Sequence, residues 1–207
     1  MRSQFDTELQ AVFKICESRK DKEDLLTTFG QDERILLWDL WNEPGNGNHG
    51  VSTLPHLKKV FEWAREANPS QPLTCGVWNW NDSFAPLNAY QIEQSDVVSY
   101  HNYNDRADHE QTIKYFKMFN RPLVCTEYMA RRNNSLFSTI MPLLKENKVV
   151  AINWGFVAGK SNTIFAWDEP KPNEKEPKLW FHDIYRQDKT PFDPAEVALI
   201  KSLTGKE

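Results

Sequence analysis

Two glutamates carry the chemistry this chain offers. Glu43 stands in LWDLWNEPGN, from Leu37 to Asn46, and Glu127 lies 84 residues later in LVCTEYMA. Each follows a stretch of strand-forming apolar residues, and a carboxylate at the tip of a buried strand is costly unless paired, solvated or used. Asn, Pro and Gly are also ordinary turn residues, so Asn42-Glu43-Pro44-Gly45 taken alone reads first as a strand leaving the core. Comparable groups end other apolar runs: Trp78-Asn79-Trp80, His101 with Tyr103, Tyr128 beside Glu127, and Asn153 with Trp154. Cleaving an acetal near neutral pH needs a proton for the leaving oxygen and a carboxylate for the developing oxocarbenium charge. Two Glu residues in different surroundings fill both roles, because environment pushes their pKa values apart. An amide beside the acid holds a ring hydroxyl, and an indole lies beneath a sugar.

The elements that must position these groups are short apolar runs at 35–41, 72–78, 96–103, 121–128 and 149–157. Each is nearly continuous rather than alternating, as expected for strands buried on both faces of a parallel sheet. Helical spacing separates them. Leu54–Asn68 places Leu57, Val60, Phe61 and Ala64 on one face, and Asn68-Pro69 stops it. His109–Phe119 and Ser135–Glu146 are similar, and Pro194–Leu203 closes the chain with Pro at a first helical position. Strand–helix alternation of this kind predicts an α/β fold with a parallel sheet. Function then collects at the C-terminal strand ends, where the groups above fall. Asp39, four residues before Glu43, belongs to the same strand face. Trp78 and Trp80 match no motif and read as packing residues. Residues 1–29 read as a helical, charged segment, with the charge run at Glu17–Asp24, and Asp168–Lys178 as a polar, Pro-rich surface loop.

Composition narrows the function further. The net charge is −4 with Lys and Arg dispersed, which leaves no basic footprint for nucleic acid. No apolar run approaches the length of a membrane span. Cys16, Cys75 and Cys125 form no disulfide framework, and Cys75 and Cys125 sit in strand-like runs where a free Cys acts as a small buried hydrophobe. The five His residues show no HExxH and there is no CxxC, so neither a metal nor another cofactor is expected. Neither GxGxxG, a P-loop nor GxSxG is present. The first residues show no signal-peptide pattern.

Together, Asn42-Glu43-Pro44, His101-Asn102-Tyr103, Glu127 in a Thr-Glu-Tyr strand end, and Trp154 resemble the C-terminal part of a clan A glycoside hydrolase, similar to the cellulase-like family 5 barrels. The resemblance runs from about Gly30 to the C-terminus, giving residues 1–29 as a separate segment and 30–207 as the catalytic portion. It implies a partial (β/α)8 TIM barrel comprising strands four to eight, and a retaining β-glycoside hydrolase acting on oligo- or polysaccharide. Glu43 would be the general acid/base and Glu127 the nucleophile. Asn42 would hold the 2-hydroxyl, Tyr103 would orient Glu127, His101 would shape the same subsite, and Trp154 would lie under the reacting sugar. The family also implies an extracytoplasmic or secreted protein. Strands one to three have no counterpart in this reading, so open edges are expected at strands four and eight, with association through them. The alternative is a non-catalytic, carbohydrate-binding barrel remnant that keeps the aromatic cleft.

Overall fold

A computed structural model describes residues 11–14, 19–160, 163–169 and 175–205. Cys16 lies outside them. The chain divides into two compact units, residues 1–100 and 101–207.

The first unit runs β1 (Ala11–Lys14), α1 (Arg19–Phe29), β2 (Ile35–Asp39), α2 (Leu54–Ala67), β3 (Leu73–Thr74), α3 (Ala85–Gln94) and most of β4 (Val98–His101). Strands β1, β2 and β3 are parallel, with Phe13 opposite Trp38 and Trp38 opposite Leu73. Strand β1 is a departure from the sequence reading, which expected helix and charge throughout residues 1–29. A four-residue run such as AVFK becomes a strand through its partner rather than its own propensity. The partner here is β2, so the edge expected to lie open at β2 is covered.

Helix α2 forms where its periodicity predicts, with Leu57, Val60, Phe61 and Ala64 buried and Pro55 in its first turn. Asn68 ends it in the left-handed conformation, φ 49°. Those four side chains pack on Trp38, Leu40, Leu73 and Cys75, which form the core of this unit. Helix α3 had no clear periodic signal, because half of its buried face is amide: Asn88 and Gln91 lie beside Leu87 and Ile92. Gln91 Nε2 donates to the Gly76 carbonyl at 2.6 Å, and Asn88 Nδ2 to the Asn79 carbonyl at 2.8 Å. These bonds satisfy the chain just beyond β3, so the expected run at 72–78 stops pairing regularly after Thr74. Further along it makes one bridge to β4, Val77 with Tyr100.

The second unit begins with the last residue of β4 and continues through α4 (Arg106–Lys117), β5 (Leu123–Glu127), α5 (Phe137–Glu146), β6 (Val150–Ala151) and α6 (Pro194–Thr204). Helix α4 starts three residues earlier than the spacing predicts because Asp105 caps it, its carboxylate accepting from the Asp108 N–H at 3.2 Å. Every residue of β5 is buried, Cys125 included, and β5 pairs in parallel with β6, Val124 opposite Val150. Both residues of β6 are exposed. The run expected over 149–157 therefore pairs regularly only near its start; Gly155 then turns it, and Val157 makes a single parallel bridge with Tyr185. Gly155 has φ +92°, and a Cβ there would stand 2.9 Å from His182 Cβ. Gly155→Ala is expected to destabilise the fold by about 1–3 kcal/mol, the usual scale of a strained backbone position. A urea midpoint equal to that of the parent would refute this.

Arg131 fastens the C-terminal segment. Its guanidinium donates to the carbonyls of Trp180 at 3.1 Å and Asp183 at 3.0 Å, and to Glu196 Oε2 at 2.6 Å in the first turn of α6. The same group lies 4.7 Å from the centre of the Phe192 ring. Among the described residues, no helix is long and apolar enough to cross a membrane.

Candidate active site

In the first unit, the chain leaves β2 through Leu40, whose N–H donates to the Thr74 carbonyl at 2.8 Å, and reaches Asn42 and Glu43, both half-buried. Glu43 adopts φ +53°, the left-handed region that residues with a Cβ rarely enter. Its carboxylate accepts from Asn46 Nδ2 at 2.7 Å, and its carbonyl from the Asn46 N–H at 3.1 Å. Trp78 Nε1 donates to the Pro44 carbonyl at 2.9 Å, and the indole meets Phe84 edge-on at 5.4 Å. Trp78 therefore clamps the turn, in keeping with a packing role. Gly45, at φ +87°, has no room for a side chain, since a Cβ would lie 2.7 Å from Phe84. Asp39 is wholly buried.

In the second unit, Glu127 ends β5 and is buried. Tyr103 Oη donates to Glu127 Oε2 at 2.8 Å, and His101 Nδ1 stands 3.3 Å from the same oxygen. Two residues apart on an extended segment, His101 and Tyr103 share a face, while Asn102 between them points the other way. Asn102 Nδ2 donates to Asp108 Oδ1 and Thr112 Oγ1 of α4, at 2.9 and 3.0 Å. Its N–H donates to the Glu127 carbonyl at 3.0 Å. The anchored Asn102 thus holds the flanking pair toward the carboxylate.

The chain after Glu127 is braced as well. Tyr128 turns into the core, edge-on to Phe137 at 6.0 Å, and is not part of the site. Met129, buried at φ +65°, offers its carbonyl to His182 Nδ1 at 2.8 Å. A carbonyl only accepts, so Nδ1 carries the hydrogen. Burial pushes the His182 pKa down, which keeps the ring neutral. Tyr103 lies against this ring, 5.2 Å between centres, and against Trp167 at 4.8 Å.

The family model described as Cellulase (glycosyl hydrolase family 5) matches residues 16–160. The chain belongs to glycosyl hydrolase family 5. Similar solved structures include a β-glucuronidase from Faecalibacterium prausnitzii, with TM-score 0.60 and 13% identity over 90% of this chain and 34% of that one. The catalytic domain of a mannanase from Streptomyces sp. SirexAA-E gives TM-score 0.59 and 15% identity, covering 90% of this chain and 62% of that one. An endo-β-1,4-mannanase from Thermotoga petrophila gives TM-score 0.58 and 15% identity, covering 90% and 49%. At such identities the likeness is one of fold, and the fold is part of a (β/α)8 barrel. The chain spans from 34% to 62% of the length of these three structures. No curated protein sequence matches it.

Of the residues that the family 5 pattern singles out, the structure brings Glu127, His101 and Tyr103 into one hydrogen-bonded group. Asn42 and Glu43 share the turn after β2. Trp154 follows β6 with 41% of its surface exposed, next to Asn153, whose Nδ2 donates to the Gly155 carbonyl at 2.5 Å. Two residues that lie against Tyr103 escaped sequence reasoning, His182 and Trp167. Both lie beyond the last recognised run, and the one visible signal was the aromatic stretch LWFHDIY, from Leu179 to Tyr185.

Proposed function

We propose that this chain is the catalytic portion of a retaining β-glycoside hydrolase acting on oligo- or polysaccharide. The observation that carries this reading is the Glu127 carboxylate at a buried strand end, held by the Tyr103 phenol and flanked by His101. Those bonds orient an oxygen that must attack along one line. Glu127 attacks the anomeric carbon while the bond to the leaving oxygen breaks, and Glu43 gives that oxygen its proton. Glu43 then takes a proton from water, and the resulting hydroxyl displaces Glu127 from the sugar. Asn42 holds the 2-hydroxyl, His101 shapes the subsite and Trp154 lies beneath the sugar. No cofactor takes part. Double displacement requires carboxyl groups about 5–5.5 Å apart, which a crystal structure with bound inhibitor would measure.

A 2-deoxy-2-fluoro-β-glycoside with a dinitrophenolate leaving group tests the assignment, because it forms the glycosyl-enzyme quickly and releases it slowly. Peptide mass analysis should place the label on Glu127, and a label elsewhere would end this assignment. The second reading is a non-catalytic, carbohydrate-binding remnant that keeps the aromatic cleft. It predicts oligosaccharide binding with no label. The exposed β6 edge supports association with a further chain under either reading.

Tyr103→Phe probes the orienting bond. Hydrogen bonds to charged groups are worth about 1.5–3 kcal/mol, so kcat/KM on aryl β-glycosides should fall by roughly 10- to 100-fold. An unchanged value would remove Tyr103 from the machinery.

A further inference from the structure

The His182 side chain joins the two groups that flank the Glu127 carboxylate. On one side its Nδ1 donates at 2.8 Å to the carbonyl of Met129, two residues beyond Glu127. Met129 holds the left-handed φ of +65°, so this bond secures a backbone turn that residues with a Cβ rarely adopt. On the other side the imidazole lies 5.2 Å from Tyr103, whose Oη donates to Glu127 Oε2 at 2.8 Å. The ring has little freedom to slip from either contact. Phe181 packs on it at 4.4 Å and Trp167 at 5.4 Å, and a Cβ at Gly155 would stand 2.9 Å from its own Cβ. The His182 N–H donates to the Thr163 carbonyl at 3.1 Å. Its Nε2, however, is buried with no hydrogen-bond partner among the described residues. A buried polar atom left in that state costs about 1–3 kcal/mol, which an apolar ring of similar size would avoid. Packing alone therefore does not account for an imidazole here. The position calls for a ring facing Tyr103 and a donor facing Met129, and His supplies both while leaving Nε2 idle.

We propose that His182 is a positioning residue for Glu127, fixing the chain beyond the carboxylate through Met129 and the phenol on the carboxylate through Tyr103. The consequence for rate rests on the assignment of Glu127 as nucleophile; the consequence for the Tyr103–Glu127 bond does not. A reacting atom misplaced by about 1 Å can lose on the order of 10²-fold in rate. A residue only 1% exposed can thus govern the reaction from behind the groups it holds.

Two substitutions separate the two contacts. His182→Asn keeps an N–H donor near the place of Nδ1 and removes the ring, whereas His182→Phe keeps the ring and removes the donor. Each should slow labelling of Glu127 by the 2-fluoro glycoside about tenfold or more, with half-saturation within about twofold of the parent. The number of labelled chains distinguishes positioning from damage to the fold. A misplaced carboxylate labels slowly but completely; fewer chains labelled at the parent rate would overturn the proposal. Adding Tyr103→Phe to His182→Asn should slow labelling by no more than about twofold beyond Tyr103→Phe alone, because the lost ring acts through the phenol. Added to His182→Phe, its effect should multiply, and multiplication in both pairs would overturn the route through Tyr103. Crystal structures supply a readout that needs no turnover. In His182→Asn the distance from Tyr103 Oη to Glu127 Oε2 should lengthen beyond about 3.5 Å, out of hydrogen-bond range. An unmoved bond there would overturn the proposal. A lengthened bond, in a protein whose parent never labels at Glu127, keeps His182 as the brace and removes the nucleophile. Labelling of Glu127 at the parent rate in both variants does the reverse.

Discussion

Glu127→Ala is expected to eliminate the glycosyl-enzyme and to lower turnover by a factor on the order of 10⁴ or more, the scale seen when a covalent nucleophile is removed. The two groups that contact its carboxylate cannot take its place, because His101 and Tyr103 present an imidazole and a phenol. Glu43→Ala should behave differently. Its proton is needed only by a poor leaving group, so dinitrophenyl glycosides should still form the intermediate while natural linkages fail. Azide distinguishes the two variants by stereochemistry. In Glu127→Ala it attacks from the vacated face and gives an α-glycosyl azide from a β-glycoside. In Glu43→Ala it intercepts the intermediate and gives the β-product. Identical anomers from both variants, or equal losses on activated and natural substrates, would overturn the division of roles.

The largest expected effect on stability belongs to Arg131→Ala. The Arg131 side chain is 3% exposed, and it satisfies the Glu196 carboxylate and two carbonyls at once. Breaking a fully buried ion pair typically costs about 3–5 kcal/mol; because the Glu196 side chain is 15% exposed, the loss here should fall near the low end, about 3 kcal/mol. For a chain of this length, each kcal/mol lowers Tm by roughly 2–4 °C. Arg131→Lys should recover little, since one ammonium cannot match the planar fork that spans these acceptors. Pairing Arg131→Met with Glu196→Leu should recover much of the loss, because no buried charge is then left alone. Equal destabilisation by Arg131→Ala and by the double variant would show that the carbonyl bonds, not the stranded carboxylate, dominate. Trp180 and Asp183, the two residues whose carbonyls Arg131 holds, flank His182, so the same substitution should loosen the ring against which Tyr103 rests.

Much of this architecture was legible where one physical signal dominated. The buried face of α2 follows from the spacing of Leu57, Val60, Phe61 and Ala64, and β5 from an unbroken apolar run. Glu127, His101 and Tyr103 were readable because strand ends in parallel sheets collect function. The failures share a cause: the deciding contact was distant in sequence. Strand β1 exists through β2, and α3 buries amides whose partners are carbonyls beyond β3. His182 reaches the site through the carbonyl of Met129, 53 residues away. Trp167 lies beside a polar loop whose composition conceals a fixed ring.

The backbone at Glu43 sets stability against retention of the carboxylate. A left-handed conformation penalises a side-chain-bearing residue by roughly 1–2 kcal/mol, and Gly is free of that penalty. Selection for folding alone would therefore reward the exchange of Glu43, at φ +53°, for Gly. If Glu43 is the acid proposed above, a descendant no longer selected for glycoside cleavage could take that step without loss of fitness. On the proposed assignment of Glu43 as the acid, Glu43→Gly should raise the urea midpoint while removing the proton donor, and a midpoint at or below that of the parent would refute the gain.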